Sequence, residues 1–112
     1  MPEGGETRIF SFAEAAGLLS EVRAITADAH ARVEALRSRA EGAEDATELE
    51  AQADQILREW AAAMHERGIE VKGLWLIDFD NGSGYYCWRW PETKLEYYHS
   101  YDDGFSGRMR IH

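Results

Sequence analysis

The chain has 112 residues, 45% of them apolar, which suits one compact domain with a modest core and excludes a disordered polymer. Twenty-one acids against 12 lysines and arginines give a net charge of −9, a surface that repels phosphate backbones and makes nucleic acid a poor partner. The basic residues cluster only at Arg108, Arg110 and His112.

One cysteine, Cys87, rules out an intrachain disulfide and fits a reducing compartment. The start "MPEGGETRIF" has neither the basic flank nor the apolar run of a signal peptide, and no stretch of about 18 apolar residues exists to span a membrane. A cytoplasmic address is the default expectation.

Residues 1–10 read as a flexible lead-in, with Ile9 and Phe10 able to pack. "SFAE" then starts a helix: Ser11 can accept from the backbone N–H of Glu14, whose side chain can reach back to the N–H of Ser11. Leu18, Leu19, Val22, Ile25, Ala29, Val33, Leu36 and Ala40 follow in steps of mostly threes and fours, one stripe on a helix over about 12–40. Gly42 ends it. Asp45 and Glu48 repeat the start signal, and Leu49, Ala53, Ile56, Leu57, Trp60 and Met64 form a second stripe over about 46–67. Arg67 and Gly68 close that helix. So short a connection implies an antiparallel hairpin over 11–67.

After Gly68 the grammar changes. "GLWLIDFDNGSGYYCWRW" is rich in aromatic and branched residues, with Asn81-Gly82 as a reverse-turn signal. Strands are predicted at about 74–79, 85–90 and 95–100, with a fourth over 105–111. Asp103-Gly104 would turn the chain between the last two. The fold class is therefore α+β: a single domain in which a long antiparallel helical hairpin precedes a small antiparallel meander of three to four strands over 68–112.

Lengths carry a consequence. A helix over 12–40 spans about 43 Å, whereas a six-residue strand spans about 20 Å. The sheet is expected to leave half the hairpin uncovered, with Val33, Leu36, Leu49 and Ile56 as the interface of a homo-oligomer, a dimer by preference. The alternative is a hairpin that seals itself as a two-stranded coil. The functional expectation is a self-associating interaction or assembly module.

The rival expectation is a metal-dependent or acid/base enzyme. "YYHSYDDGFSGR" supplies its residues: His99, Asp103, Arg108 and Asp78 as catalytic candidates, and His99, Asp102 and Asp103 as ligands for a divalent metal. No other cofactor is indicated. Arg108 could clamp a small anionic ligand or pair with Asp102, Asp103 or Asp78. Asp78 interrupts the apolar run "LWLIDF" and needs a donor if buried, with His99 and Arg108 as candidates. Glu96 and His99, three apart in a strand, should face opposite sides. The plain alternative for "YDDG" is turn chemistry. Cys87, with no activating group near it in sequence, reads as a packed strand cysteine. On strand alternation Tyr86, Trp88 and Trp90 form the core face and Tyr85, Cys87 and Arg89 the other. The aromatics left over, among them Tyr85, Tyr97 and Tyr101, would form a surface for a protein or small-ligand partner.

"FSFAEAAGLLSEVR", "GIEVKGLWLIDFD" and "YYCWRWPETKLEYYHSYDDGFSGR" together resemble the bacterial family listed as domain of unknown function 2203 over most of the chain. The resemblance marks Asp78, Phe79, Cys87, Trp88, His99, Asp103, Gly104, Phe105, Gly107 and Arg108 as the matching positions. It departs at Tyr98, where the family pattern has Trp, and at "NGSGYYC", where the turn is shorter. It implies the same fold outline and no mechanism.

Overall fold

The computed structural model describes residues 8–111. Two helices, α1 (Phe12–Glu41) and α2 (Thr47–Glu66), pack as a hairpin. A five-stranded antiparallel sheet follows, built from β1 (Glu70–Gly73), β2 (Leu76–Asp80), β3 (Gly84–Arg89), β4 (Tyr97–Ser100) and β5 (Met109–Arg110) in the order of the chain. The α+β outline stands; the strand number is corrected from three or four to five. Of the lead-in, residues 1–7 lie outside the described residues, and Phe10 is core, stacked edge-on against Phe79 at 5.2 Å.

The helix starts follow local chemistry. Glu14 N donates to Ser11 Oγ at 3.1 Å and Ser11 N to Glu14 Oε1 at 2.8 Å, a reciprocal cap. Asp45 serves α2 from just outside it, accepting from the N–H and hydroxyl of Thr47 at 2.9 and 2.6 Å. The buried line of α1 runs Ala15, Leu19, Val22, Thr26, Ala29, Val33 and Leu36, steps of four and three throughout. It passes through Thr26 instead of Ile25. That hydroxyl is satisfied in the core, where Trp60 Nε1 donates to it at 2.9 Å.

The inner face of the sheet lies on the hairpin. Ile77, Phe79 and Trp88 are fully buried there, joined by Ile69, Trp75 and Leu95. Trp75 holds its place at a φ of +60°, a conformation that costs a bulky residue about 1–3 kcal/mol. Its indole, packed against Trp60 at 5.0 Å and His30 at 5.5 Å, offsets that cost by burial. This turn separates β1 from β2 and is why the first predicted strand begins at Leu76, two residues late.

The premise of the dimer expectation does not survive. Val33 is fully buried, Leu36 and Ile56 are 8% exposed, and Leu49 is partly buried, all within the single chain. The two helices shelter most of that stripe between them. No large exposed apolar residue among those described lies in the free half of the hairpin. No helix of the described residues is long and apolar enough to cross a membrane.

Candidate functional site on the outer face of the sheet

Among the described residues no α-helix covers the opposite face of the sheet, yet three of its side chains are buried and polar or ionisable. Strand register explains how they meet. Asp78 lies opposite Cys87, Cys87 opposite Tyr97, and Tyr85 opposite His99. The period of two then sends Asp78, Tyr85, Cys87, Tyr97 and His99 to one side. Donor and acceptor atoms of Asp78, Cys87 and His99 all lie within 4.8 Å of one another.

Hydrogen bonds define the states of this cluster. His99 Nδ1 lies 2.8 Å from the carbonyl oxygen of Ser100, and Nε2 lies 2.9 Å from Asp78 Oδ2. Both oxygens are acceptors, so the pair needs a proton on each ring nitrogen or one on Asp78. Either way one proton is held between two side chains that are each 3% exposed. Asp78 Oδ1 has no hydrogen-bond partner among the described residues, a costly omission for a buried carboxylate.

Cys87 is a buried free thiol. Burial first, and then the nearby Asp78 carboxylate, push it up to about 12, against the pull of Arg108. Both nitrogens of His99 are committed to oxygens, so neither is free to take the thiol proton. The trio therefore lacks the arrangement of a Cys–His nucleophile.

A cavity of about 330 Å³ opens over the cluster, lined by Lys72, Leu76, Asp78, Cys87, His99, Asp103, Gly104 and Phe105. Lys72 arrives because β1 shifts register between Val71 and Gly73, a bulge that re-aims its side chain. Its ammonium lies 3.6 Å from Asp78 Oδ2, 3.4 Å from Glu70 Oε1 and 4.0 Å from the centre of the Tyr85 ring. Burial works against its charge, but the Tyr85 hydroxyl, Asp78 and Glu70 outweigh that and raise its pKa.

The far wall is the segment after β4. Asp103 N donates to Ser100 O at 3.2 Å, closing a turn, and Ser100 Oγ donates to Asp103 Oδ2 at 3.0 Å. A short 3₁₀ turn, Phe105–Gly107, stands where the sequence suggests the start of a strand, and β5 is only two residues long. A Cβ on Gly107 would sit 2.9 Å from Asp103 Cβ, so glycine lets the turn fold back upon itself.

Arg108 locks this wall to the sheet through an acid the sequence reading missed. Its guanidinium grips Glu92 with both terminal nitrogens and stacks 4.0 Å from the Tyr97 ring centre and 4.1 Å from that of Phe105. Burial lowers its pKa, and the Glu92 carboxylate more than restores it. The expected partners Asp102, Asp103 and Asp78 are therefore replaced by Glu92, whose carbonyl also accepts from Trp88 Nε1 at 2.9 Å and Arg23 Nε at 3.1 Å. Glu92 lies in a turn, and only the tertiary fold brings it beneath Arg108.

Of the named candidates, Asp78 and His99 meet and Asp103 lines the same cavity. Arg108 reaches the cluster only at Cys87 Sγ, 3.9 Å away, and its charge is spent on Glu92. Asp102 is exposed and absent from the cavity wall. Glu96 pairs with Arg110 and not with His99. Tyr85 donates to Glu70 Oε1 at 3.1 Å and Tyr101 to Asp80 Oδ1 at 2.7 Å, while Tyr97 lies under Arg108. Arg108 and Arg110 are both paired, and His112 lies outside the described residues.

The molecule is thus a helical hairpin carrying a sheet whose outer face encloses a small polar pocket. It belongs to the family described as an uncharacterized conserved protein (DUF2203), which it matches over residues 8–111. No curated protein and no solved structure gives a significant match.

Proposed function

We propose that the protein works through the outer-face pocket, as a domain that binds a small polar ligand between the sheet and the 101–108 segment, with the hairpin as its support. One observation carries this reading: Asp78, a carboxylate buried to 98% whose Oδ1 has no hydrogen-bond partner among the described residues, lines a cavity together with Lys72, Cys87, His99 and Asp103. A protein that only needed a stable sheet would fill this space with apolar side chains, because a buried polar group without its full set of partners costs about 1–3 kcal/mol. The free buried thiol agrees with a reducing, cytoplasmic setting.

The test is a nuclear magnetic resonance screen of the full chain against small polar fragments and inorganic phosphate. Amide shifts gathered at Lys72, Asp78, Cys87, His99 and Asp103–Phe105 support the reading. Shifts confined to the hairpin, or none with any probe, overturn it.

Self-association is the second reading. What favours it is a shallow groove of about 420 Å³ near the free end of the hairpin, where Leu36, Ala40, Leu49, Ala53 and Leu57 lie among Arg37, Glu50 and Asp54. A second copy could set its own groove residues there, matching the arginine to the acids. Light scattering during size exclusion decides: a stable dimer at micromolar concentration supports this reading, and a monomer removes it.

A further inference from the structure

The composition of the pocket narrows its ligand. Resting on the reading above, we infer that the outer-face pocket is a site for a divalent transition-metal ion of the zinc class, held by Asp78, Cys87 and His99, with its fourth position open to the cavity.

Three donor types converge: a carboxylate oxygen, a sulfur and an imidazole nitrogen, all within 4.8 Å. Hard ions such as magnesium and calcium prefer oxygen alone, whereas a sulfur–nitrogen–oxygen set suits zinc and its neighbours. Tetrahedral zinc, with bonds of about 2.0–2.3 Å, keeps its ligand atoms roughly 3.3–3.6 Å apart. From the observed arrangement the contact between His99 Nε2 and Asp78 Oδ2 must open from 2.9 Å, and any separation near the 4.8 Å limit must close, to reach that spacing.

The surroundings already match those of a ligating histidine. Such a residue donates its second ring N–H to a carbonyl or carboxylate, which fixes the tautomer and aims the other nitrogen. His99 Nδ1 meets Ser100 O at 2.8 Å, leaving Nε2 on the side of Asp78 and Cys87. The unpaired Asp78 Oδ1 is the independent sign that a partner is missing. Charge also balances: a dication beside one carboxylate and one thiolate leaves the buried trio neutral with His99 uncharged. Lys72 and Arg108 remain at its edge, 3.6 Å from Asp78 Oδ2 and 3.9 Å from Cys87 Sγ. Three protein ligands and an open position are the pattern of zinc sites that admit water or substrate.

The full chain, stripped with a chelator, is titrated with Co²⁺ and followed by absorption. The expected result is a sulfur-to-cobalt charge-transfer band that saturates at one equivalent and is displaced by Zn²⁺. Cys87→Ser removes the band, and Asp78→Asn weakens binding about tenfold or more. No band at equimolar Co²⁺, or a band that persists in Cys87→Ser, overturns the assignment. If the variants do not fold, the unaltered chain decides: Zn²⁺ must slow labelling of Cys87 by a thiol reagent, and an unchanged rate overturns the assignment equally. Failure here, with fragment-induced shifts still at the pocket, removes the metal and leaves the pocket reading standing. Failure of both experiments removes both.

Discussion

The two faces of the sheet are built on different physical terms. The inner face buries Ile77, Phe79 and Trp88 against two helices, and each atom removed from water there stabilises the fold. The outer face buries Asp78, Cys87 and His99 beneath a turn and an arginine clamp. Polar groups in that position contribute little net stability even when paired, and Asp78 is only half paired. One side of the same five strands is optimised for folding, and the other carries groups that folding alone does not require.

The largest effect should come from the inner face. Trp88→Ala leaves a cavity at the centre of the core and removes one of the two donors to the Glu92 carbonyl, leaving only Arg23 Nε. A loss of about 3–5 kcal/mol is expected, a large share of the roughly 5–15 kcal/mol that holds a domain together. Urea denaturation measures it. A loss below about 1 kcal/mol would mean that the sheet is not anchored through this residue.

The outer face should respond in the opposite sense once its partners are removed together. His99→Leu leaves the Asp78 carboxylate buried without its main partner and should cost about 3 kcal/mol or more. Asp78→Leu combined with His99→Leu should be less harmful than His99→Leu alone, because a close-packed apolar pair has no charge to desolvate. A double-substitution cycle in urea reads the difference. If the double variant is the less stable, the pair is a structural device and the contrast between the faces collapses.

Much of the inner face is legible in the sequence. Repeats of three and four locate both helices to within a residue or so, the Ser11–Glu14 box marks a real start, and the alternation in β3 puts Trp88 inward. These are local signals with one period each. The outer face depends on register between strands, which no single segment encodes. Asp78 is visible as a candidate because it interrupts an apolar run and His99 because it stands close to two acids, but Cys87 looks inert until β2 and β4 are laid on either side of it. Glu92 is hidden because it works from a turn 16 residues before Arg108. Strand β1 is missed since "EVKG" is a mostly exposed edge with no apolar alternation. Trp75 misleads because a bulky residue at positive φ runs against backbone preference and is held only by its packing.

A smaller effect tests how tightly the two faces are coupled through the strands. Gly84 lies opposite Ser100, and a Cβ there would meet His99 O at 2.6 Å. Gly84→Ala must push β4 away from β3 at the residue that carries the imidazole. Such crowding costs about 1–3 kcal/mol, and it should disturb the His99 ring resonances more than those of Trp88. Equal disturbance of both would mean that the sheet yields as a whole and that the outer cluster has no geometry of its own.

The smallest effect on stability, and the most specific to the outer face, concerns Cys87. Its thiol is raised from 9.0 to about 12 by burial first, then by the nearby Asp78 carboxylate, while Arg108 pulls the other way. His99, Lys72 and Asp103 share the cavity wall. An acid whose pKa is higher in the folded chain keeps its proton there after the unfolded chain has lost it. The folded state then binds more protons, so this group's contribution is intact below pH 9 and declines as pH climbs from 9 towards 12. At neutral pH stability does not change. The visible consequence is kinetic: alkylation of Cys87 in the metal-free folded chain should stay slow between pH 7 and about 10, while in the urea-unfolded chain it accelerates as pH approaches the ordinary value of 9.0. Asp78→Asn removes the opposing charge and should bring the folded profile towards lower pH. A folded thiol that already reacts as fast as the unfolded one at pH 8 would show that solvent reaches the cluster freely and that the outer face is a surface, not a second interior.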